Sequence, residues 1–275
     1  MADRDEADPD EAYAAPRRAV AAPPEPARLT FGQHAVAFVK ELTAVVIGAV
    51  IVASLLRGFV GQMFLIPSIS MEHTLQVDDR VVVEKLSSLK RGEVVVFRDP
   101  GHWLSGSPAA ERGPIGRVFQ FVGVLPDPST EHLIKRVIGV AGDQVICCDS
   151  AGRITVNGQS LDETGYLFTD AAGETVAPSA IRFEVVVPRE HVFVMGDNRN
   201  RSSDSRCHLN DVEAGGLKGE NAFVAEDMVV GRAVAVVWPF AHRHRLPIPD
   251  TFKTVPPGSS APGIPEISAG PEANC

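Results

Sequence analysis

Apolar residues fall along the chain in two ways. One long run, "AVAFVKELTAVVIGAVIVASLLRGFVGQMFLIP", occupies residues 35–67. Leu42 to Leu56 carry no charge, and Lys40 and Arg57 flank them. A span needs about 20 apolar residues. Counting Ala35–Val39 and Gly58–Val60, and letting the flanking cations reach toward headgroups, meets that length. A run this apolar all round suits a bilayer better than a core helix. It begins later than a cleaved leader normally would. The segment is therefore read as an uncleaved transmembrane anchor over 34–60. Arg17, Arg18, Arg28 and Lys40 precede it and only Arg57 closely follows, which favours a cytoplasmic N-terminus. The remaining chain then lies outside, as a single-pass cell-membrane protein.

Downstream the pattern changes to short runs: "RVVVEKL", "GEVVVFRDP", "HLIKRVIGV", "DQVICC", "RITVNG", "RFEVVV" and "HVFVMG". Gly, Pro, Asp and Asn separate them, which predicts an all-β domain of short strands. "QVICCDSAGRITVNG" predicts a hairpin followed by an Asn-Gly turn. Residues 101–131 are expected to form a long loop. The domain is bounded at 61–245. Residues 1–33, rich in Ala, Pro and acidic side chains, read as a disordered cytoplasmic tail, and Pro-rich 246–275 reads the same way.

Composition narrows the function. Net charge is −9 with scattered basic residues and 6% aromatics, so no basic, aromatic-lined stripe for nucleic acid exists. Cys147, Cys148, Cys207 and Cys275 show no metal-ligand spacing, and neither a metal nor a cofactor is expected.

The chemistry lies in "IPSISMEHTL", just after the anchor. If "SIS" is extended, Ser68 and Ser70 share one face. Any S-x-S can be a solvated edge, so a nucleophile must be matched with a base. His132, His191 and His208 show no evident carboxylate partner. A neutral lysine can serve if burial and nearby positive charge lower its pKa. Lys135, inside the apolar run "HLIKRVIGV", fits that requirement, or else lies on a polar strand face; Arg136 points to the opposite face toward solvent. "VMGDNRNRSSDSR", residues 194–206, is either a polar surface turn or a set of hydrogen bonds shaping a site.

An ordered series runs "FLIPSISMEHTL", "DDRVVVEKL", "RGEVVVF", "IKRVIGVAGD", "GDNRNRSSDSR", "VGRAVAVVWP". From about residue 36 to 240 it resembles bacterial type I signal peptidases, especially actinobacterial ones. These are membrane-anchored endopeptidases that remove signal peptides from exported proteins. The resemblance implies a mainly β, barrel- or sandwich-like catalytic domain on the outer leaflet. It implies Ser70 as nucleophile, Lys135 as general base, and Ser68 with the Ser70 backbone N–H as oxyanion donors. Ser202 would hydrogen-bond the lysine, and Asp204 and Arg206 would form a supporting ion pair. Phe64, Ile66, Val81, Val83 and Ile134 would form shallow pockets for Ala-x-Ala-like signal peptides, with the lipid bilayer as the other partner. Three positions depart from the family pattern: His73 replaces a proline, Asp78 a glycine, and Glu72 a small or apolar residue. His73 is read as a turn residue. The alternatives are an inactive membrane-anchored binding module of the same fold and a Ser-Lys self-cleaving repressor-type protein. In an oxidising exterior, Cys147 or Cys148 is expected to pair with Cys207, and at most one of them, because neighbours in a strand face opposite ways.

Overall fold

The computed structural model describes residues 31–59, 62–85, 88–101, 103–104, 113, 132–212 and 215–273. Most of the expected N-terminal tail, and the expected 101–131 loop apart from residues 101, 103, 104 and 113, lie outside the described residues. By its contacts the chain forms two units, 1–47 and 48–275.

Phe31–Phe59 form one helix, α1. Its stretch His34–Val52 has mean hydropathy 2.2 over 19 residues, none of them buried. It is long and apolar enough to cross a membrane. No proline interrupts it, and Thr43, one of its few polar side chains, returns its hydroxyl to Val39 O at 2.8 Å.

The rest is mainly β. In chain order the strands are β1 Gln62–Leu65, β2 Arg80–Glu84, β3 Val94–Arg98, β4 His132–Val140, β5 Gln144–Cys147, β6 Ile154–Val156 and β7 Gln159–Ser160. There follow β8 Phe183–Val186, β9 His191–Met195, β10 Val224–Ala225, β11 Val229–Trp238, β12 His244–Arg245 and β13 Glu266–Ala269. An eight-stranded sheet runs β1-β2-β11-β3-β4-β9-β10, with β12 on β11, and a five-stranded sheet runs β13-β8-β5-β6-β7. Period-two patterning fixes which faces are buried. Val81 and Val83 in β2 are inside while Arg80 is exposed. β4 is buried along both faces from Leu133 to Gly139, which is why its sequence reads as an almost unbroken apolar run. Asn157 and Gly158, both at positive φ (50° and 80°), make the tight turn from β6 to β7.

Three expectations require correction. Residues 246–273 are not a disordered tail. Phe252 and Val255 are buried in the core of the five-stranded sheet, and β13 pairs with β8 from Glu266↔Val186 to Ala269↔Phe183. Prolines suit the extended links between these anchors and do not prevent them. Arg136 does not reach solvent. It is 2% exposed, because Asp197 meets its guanidinium through two hydrogen bonds (2.8 and 2.6 Å) while Gly92 O accepts a third. Finally, Cys147 and Cys148 are bonded to each other. Strand β5 ends at Cys147, so the rule that neighbours face opposite ways stops there. Cys207 is disulfide-bonded elsewhere.

Candidate active site

β1 delivers the chain to Ile66, whose N–H donates to Asp79 O. "SIS" then bends instead of continuing as a strand, and Ser70 opens a tight turn. Glu72 N–H donates to Ile69 O at 3.0 Å and Leu75 N–H to Met71 O at 2.8 Å. Met71 and Leu75 are fully buried and pin the turn to the core. The two serine hydroxyls still meet, 3.3 Å apart. Ser68 is exposed and Ser70 is 5% exposed.

Lys135 comes from β4. Its Nζ donates to Ser70 Oγ at 2.8 Å and to Ile134 O at 3.1 Å. It is 3% exposed. Burial lowers its pKa from 10.5 to about 8; Asp204 and Asp197 pull the other way, and the Arg206 charge adds to the lowering. Desolvation of the ammonium therefore decides the protonation state, and neighbouring positive charge contributes less than the sequence suggested.

The 194–206 loop holds this pair in place. Asn198 N–H donates to Ser70 O at 3.0 Å. Gly196 lies so close that an added Cβ would be 2.6 Å from Ser70 O and 2.2 Å from Ser202 Oγ. Asp204 and Arg206 form the expected buried ion pair, with two contacts of 2.8 Å. Asp204 also accepts from Gly196 N–H at 2.9 Å. Burial pushes the Asp204 carboxyl up, but Arg206 and these hydrogen bonds outweigh it and hold the pKa below the ordinary range. Ser202 does not make the expected bond to Lys135. Its Oγ is buried without a partner at hydrogen-bond geometry, packed against Gly196 and near enough to Asp204 to favour that charge.

Phe64, Ile66, Val81, Val83 and Ile134 gather in one apolar cluster with Met71 and Leu75. Val81 and Val83 are wholly buried, whereas Phe64 (7%) and Ile134 (5%) keep some exposed surface. His73 is an exposed turn residue with φ 89°, and Asp78 has φ 70°. A glycine suits the latter conformation, and Asp tolerates it. A cavity of about 690 Å³ opens beside His73, Arg136 and Tyr166, but neither Ser70 nor Lys135 lines it. The site is thus defined by its chemistry and not by that cavity.

Sequence reasoning missed Thr74, Asp197 and Gly196. The Thr74 hydroxyl donates to Asp197, tying the nucleophile's turn to the Arg136 ion pair. One signal was available: an arginine in an apolar strand needs a counter-charge, and "GDN" supplies it. It also missed a carboxylate partner for His208, which Asp211 provides at 2.7 Å.

The mainly β domain brings a buried serine and a buried lysine into contact, and comparison with known proteins identifies it as a serine endopeptidase. The chain belongs to the signal peptidase family, peptidase S26, whose profile matches residues 39–238. It is 35% identical over 225 residues to the signal peptidase I of Mycobacterium tuberculosis, covering 73% of this chain and 72% of that protein. This bears out the actinobacterial likeness. It is also 35% identical over 204 residues to a probable signal peptidase I of Synechocystis, covering 72% and 73%. Among solved structures, a signal peptidase I from Enterococcus faecalis matches 54% of this chain and 98% of that one, at 20% identity and TM-score 0.29. Removal of signal peptides is the activity this membership supports.

Proposed function

We propose that this chain cleaves signal peptides by a Ser70–Lys135 dyad while anchored in the membrane through α1. The observation that carries the reading is the 2.8 Å contact between Ser70 Oγ and the Nζ of a buried lysine whose pKa is lowered to about 8. Once Lys135 loses its proton, its lone pair takes the Ser70 hydroxyl proton as Oγ attacks the scissile carbonyl. The charge that develops on the carbonyl oxygen is met by the Ser70 backbone N–H and the Ser68 hydroxyl. Lys135 then passes the proton to the leaving amine, and water releases the acyl group. Ser202 packs its hydroxyl against Gly196 and near Asp204. Asp204 with Arg206 fixes the loop beneath.

Phe64 and Ile134, over a floor of Ile66, Val81 and Val83, form shallow apolar pockets that favour Ala-x-Ala-like sites. An extended substrate sends its first and third residues before the cut to the same face.

In this reading residues 34–60 are the anchor and the peptidase domain begins at 61; α1, Phe31–Phe59, supports the first. Met63 and Leu65 on β1 are exposed, as are Trp238 and Phe240. Leu65 and Trp238 both pair with Arg80, in one row across three strands. Exposed apolar side chains flanking a cation suit a bilayer surface, where the arginine meets headgroups. The balance of basic residues about the anchor favours a cytoplasmic N-terminus and an extracytoplasmic catalytic domain.

The test uses the full chain in detergent micelles with a labelled preprotein, and products mapped by mass spectrometry. Ser70→Ala and Lys135→Ala should each abolish cleavage while the circular dichroism spectrum is retained. Wild-type activity in either variant would overturn the dyad.

A further inference from the structure

The polar loop that supports Lys135 has a second side. Ser202 (φ −130°, ψ 115°) and Asp204 (φ −147°, ψ −171°) are extended. Alternate residues of an extended chain project oppositely. Ser202 and Asp204 are accordingly buried, and Ser203 between them is exposed. On that outer side Ser203 Oγ lies 3.4 Å from His208 Nε2, and His208 Nδ1 lies 2.7 Å from Asp211 Oδ2. A carboxylate can only accept, so the hydrogen-bond network assigns the imidazole hydrogen to Nδ1. Nε2 is left as an acceptor facing a serine hydroxyl.

The ring is held in place. His208 stacks on Trp103 with centroids 4.7 Å apart and planes 7° from parallel. Trp103 is 5% exposed, and its indole N–H donates to Asn221 O at 2.9 Å. The short turn Ser205–His208 sets the serine–histidine spacing, and Asp211 N–H donates to His208 O at 3.2 Å.

We propose that Ser203, His208 and Asp211 form a second nucleophilic site, separate from Ser70 and Lys135, that takes the acyl group of small activated esters. A serine, a histidine acting as base, and a carboxylate that fixes its tautomer are recognised by geometry and role, whatever their order in the chain. Ser203 is exposed and the Asp211 side chain is 42% exposed. Among the described residues no wall encloses that side, and an open site suits a substrate that brings its own reactivity in a good leaving group. In the reaction the Ser203 hydroxyl proton passes to His208 Nε2 as the Oγ–C bond forms. The ester C–O bond breaks, and the alkoxide or phenoxide leaves with the proton from His208. Water then hydrolyses the acyl-serine by the same route. A fluorophosphonate reports the first half: the Oγ–P bond forms, P–F breaks, and the proton and fluoride depart.

The experiment treats the full-length Ser70→Ala variant in micelles with an alkyl fluorophosphonate and maps the adduct by mass spectrometry. The expected result is an adduct on Ser203 that forms about 10²-fold more slowly after His208→Gln, as for loss of a general base, and more slowly after Asp211→Asn. Hydrolysis of a nitrophenyl ester should be lost in Ser203→Ala but kept in Ser70→Ala, while Ser203→Ala leaves signal-peptide cleavage unchanged. If His208→Gln does not fold, the partly exposed Asp211→Asn decides. No adduct on Ser203 in folded protein would overturn the proposal. So would an adduct rate indifferent to both substitutions, or loss of signal-peptide cleavage in Ser203→Ala.

Discussion

Replacing Lys135 with methionine tests the central claim about the site through stability alone. Methionine keeps most of the length and volume of the side chain and cannot hold a proton. Each pKa unit is worth about 1.36 kcal/mol. An amine moved by burial from 10.5 to about 8 thus carries a cost of roughly 3 kcal/mol. The sign follows from proton counting. Below about pH 8 the folded and unfolded chains both hold the proton, and the burial cost is fully present. Between about pH 8 and 10.5 the unfolded chain still binds a proton that the folded chain has released, so wild-type stability rises with pH. Above about 10.5 the cost is gone.

Lys135→Met never carries this cost. Its advantage over wild type should be largest near neutrality and should shrink by about 3 kcal/mol as pH approaches 10.5. The absolute gain is smaller, because methionine forfeits the bonds to Ser70 Oγ and Ile134 O, worth about 1 kcal/mol each. The pH-dependent part is untouched by that loss, and other titrating groups cancel in the difference. Urea unfolding of both full-length proteins in matched micelles, followed by fluorescence of Trp103 and Trp238 across pH 7–10.5, measures it. The same proton governs catalysis. Wild-type cleavage should rise about tenfold per pH unit below about 8 and level off above it. A stability difference that stays constant with pH, together with a rate plateau already reached near pH 6, would refute the reasoning.

Ser68→Ala should lower cleavage by about 10²–10³ without loss of stability, as for one oxyanion donor, measured as kcat on a peptide substrate. An unchanged kcat would remove Ser68 from that role. Gly196→Ala should destabilise the domain by roughly 1–3 kcal/mol or more and cut activity, since its Cβ would collide with Ser70 O and Ser202; a fully active, equally stable variant in urea unfolding would contradict the packing. In a substrate series, Ala at the first and third residues before the cut should be cleaved far faster than Phe. Equal rates would reject the shallow pockets even with Ser70 catalytic.

Much of the fold was legible because its signals are local. The alternation in β2 and the apolar runs of β3, β4 and β9 name their own strands, and Asn157-Gly158 names its turn. Ser70 and Lys135 were singled out by the ordered series of motifs that the chain shares with a known family; S-x-S or a lysine in a strand read alone would not have named them. What stayed hidden depends on distant partners. Arg136 looks solvent-bound until Asp197 closes on it. β13 looks like a linker until β8 offers it a ladder. Ser202 carries the right hydroxyl at the right motif position, yet it lies against Gly196 and makes no bond to Lys135. The Cys147–Cys148 bond escaped because a strand rule was applied one residue beyond the strand's end.

The pairing of β13 with β8 bears on how this protein can be handled. A chain cut at residue 245, the limit that composition suggests, would lose the outermost strand of the five-stranded sheet and with it Phe252 and Val255 from the core beneath. Phe183–Val186 would then present a bare row of backbone donors and acceptors to solvent. Such an edge templates the strand of another molecule, so the trimmed protein should self-associate where the longer one does not. Its C-terminal residues act as a cover strip for the sheet.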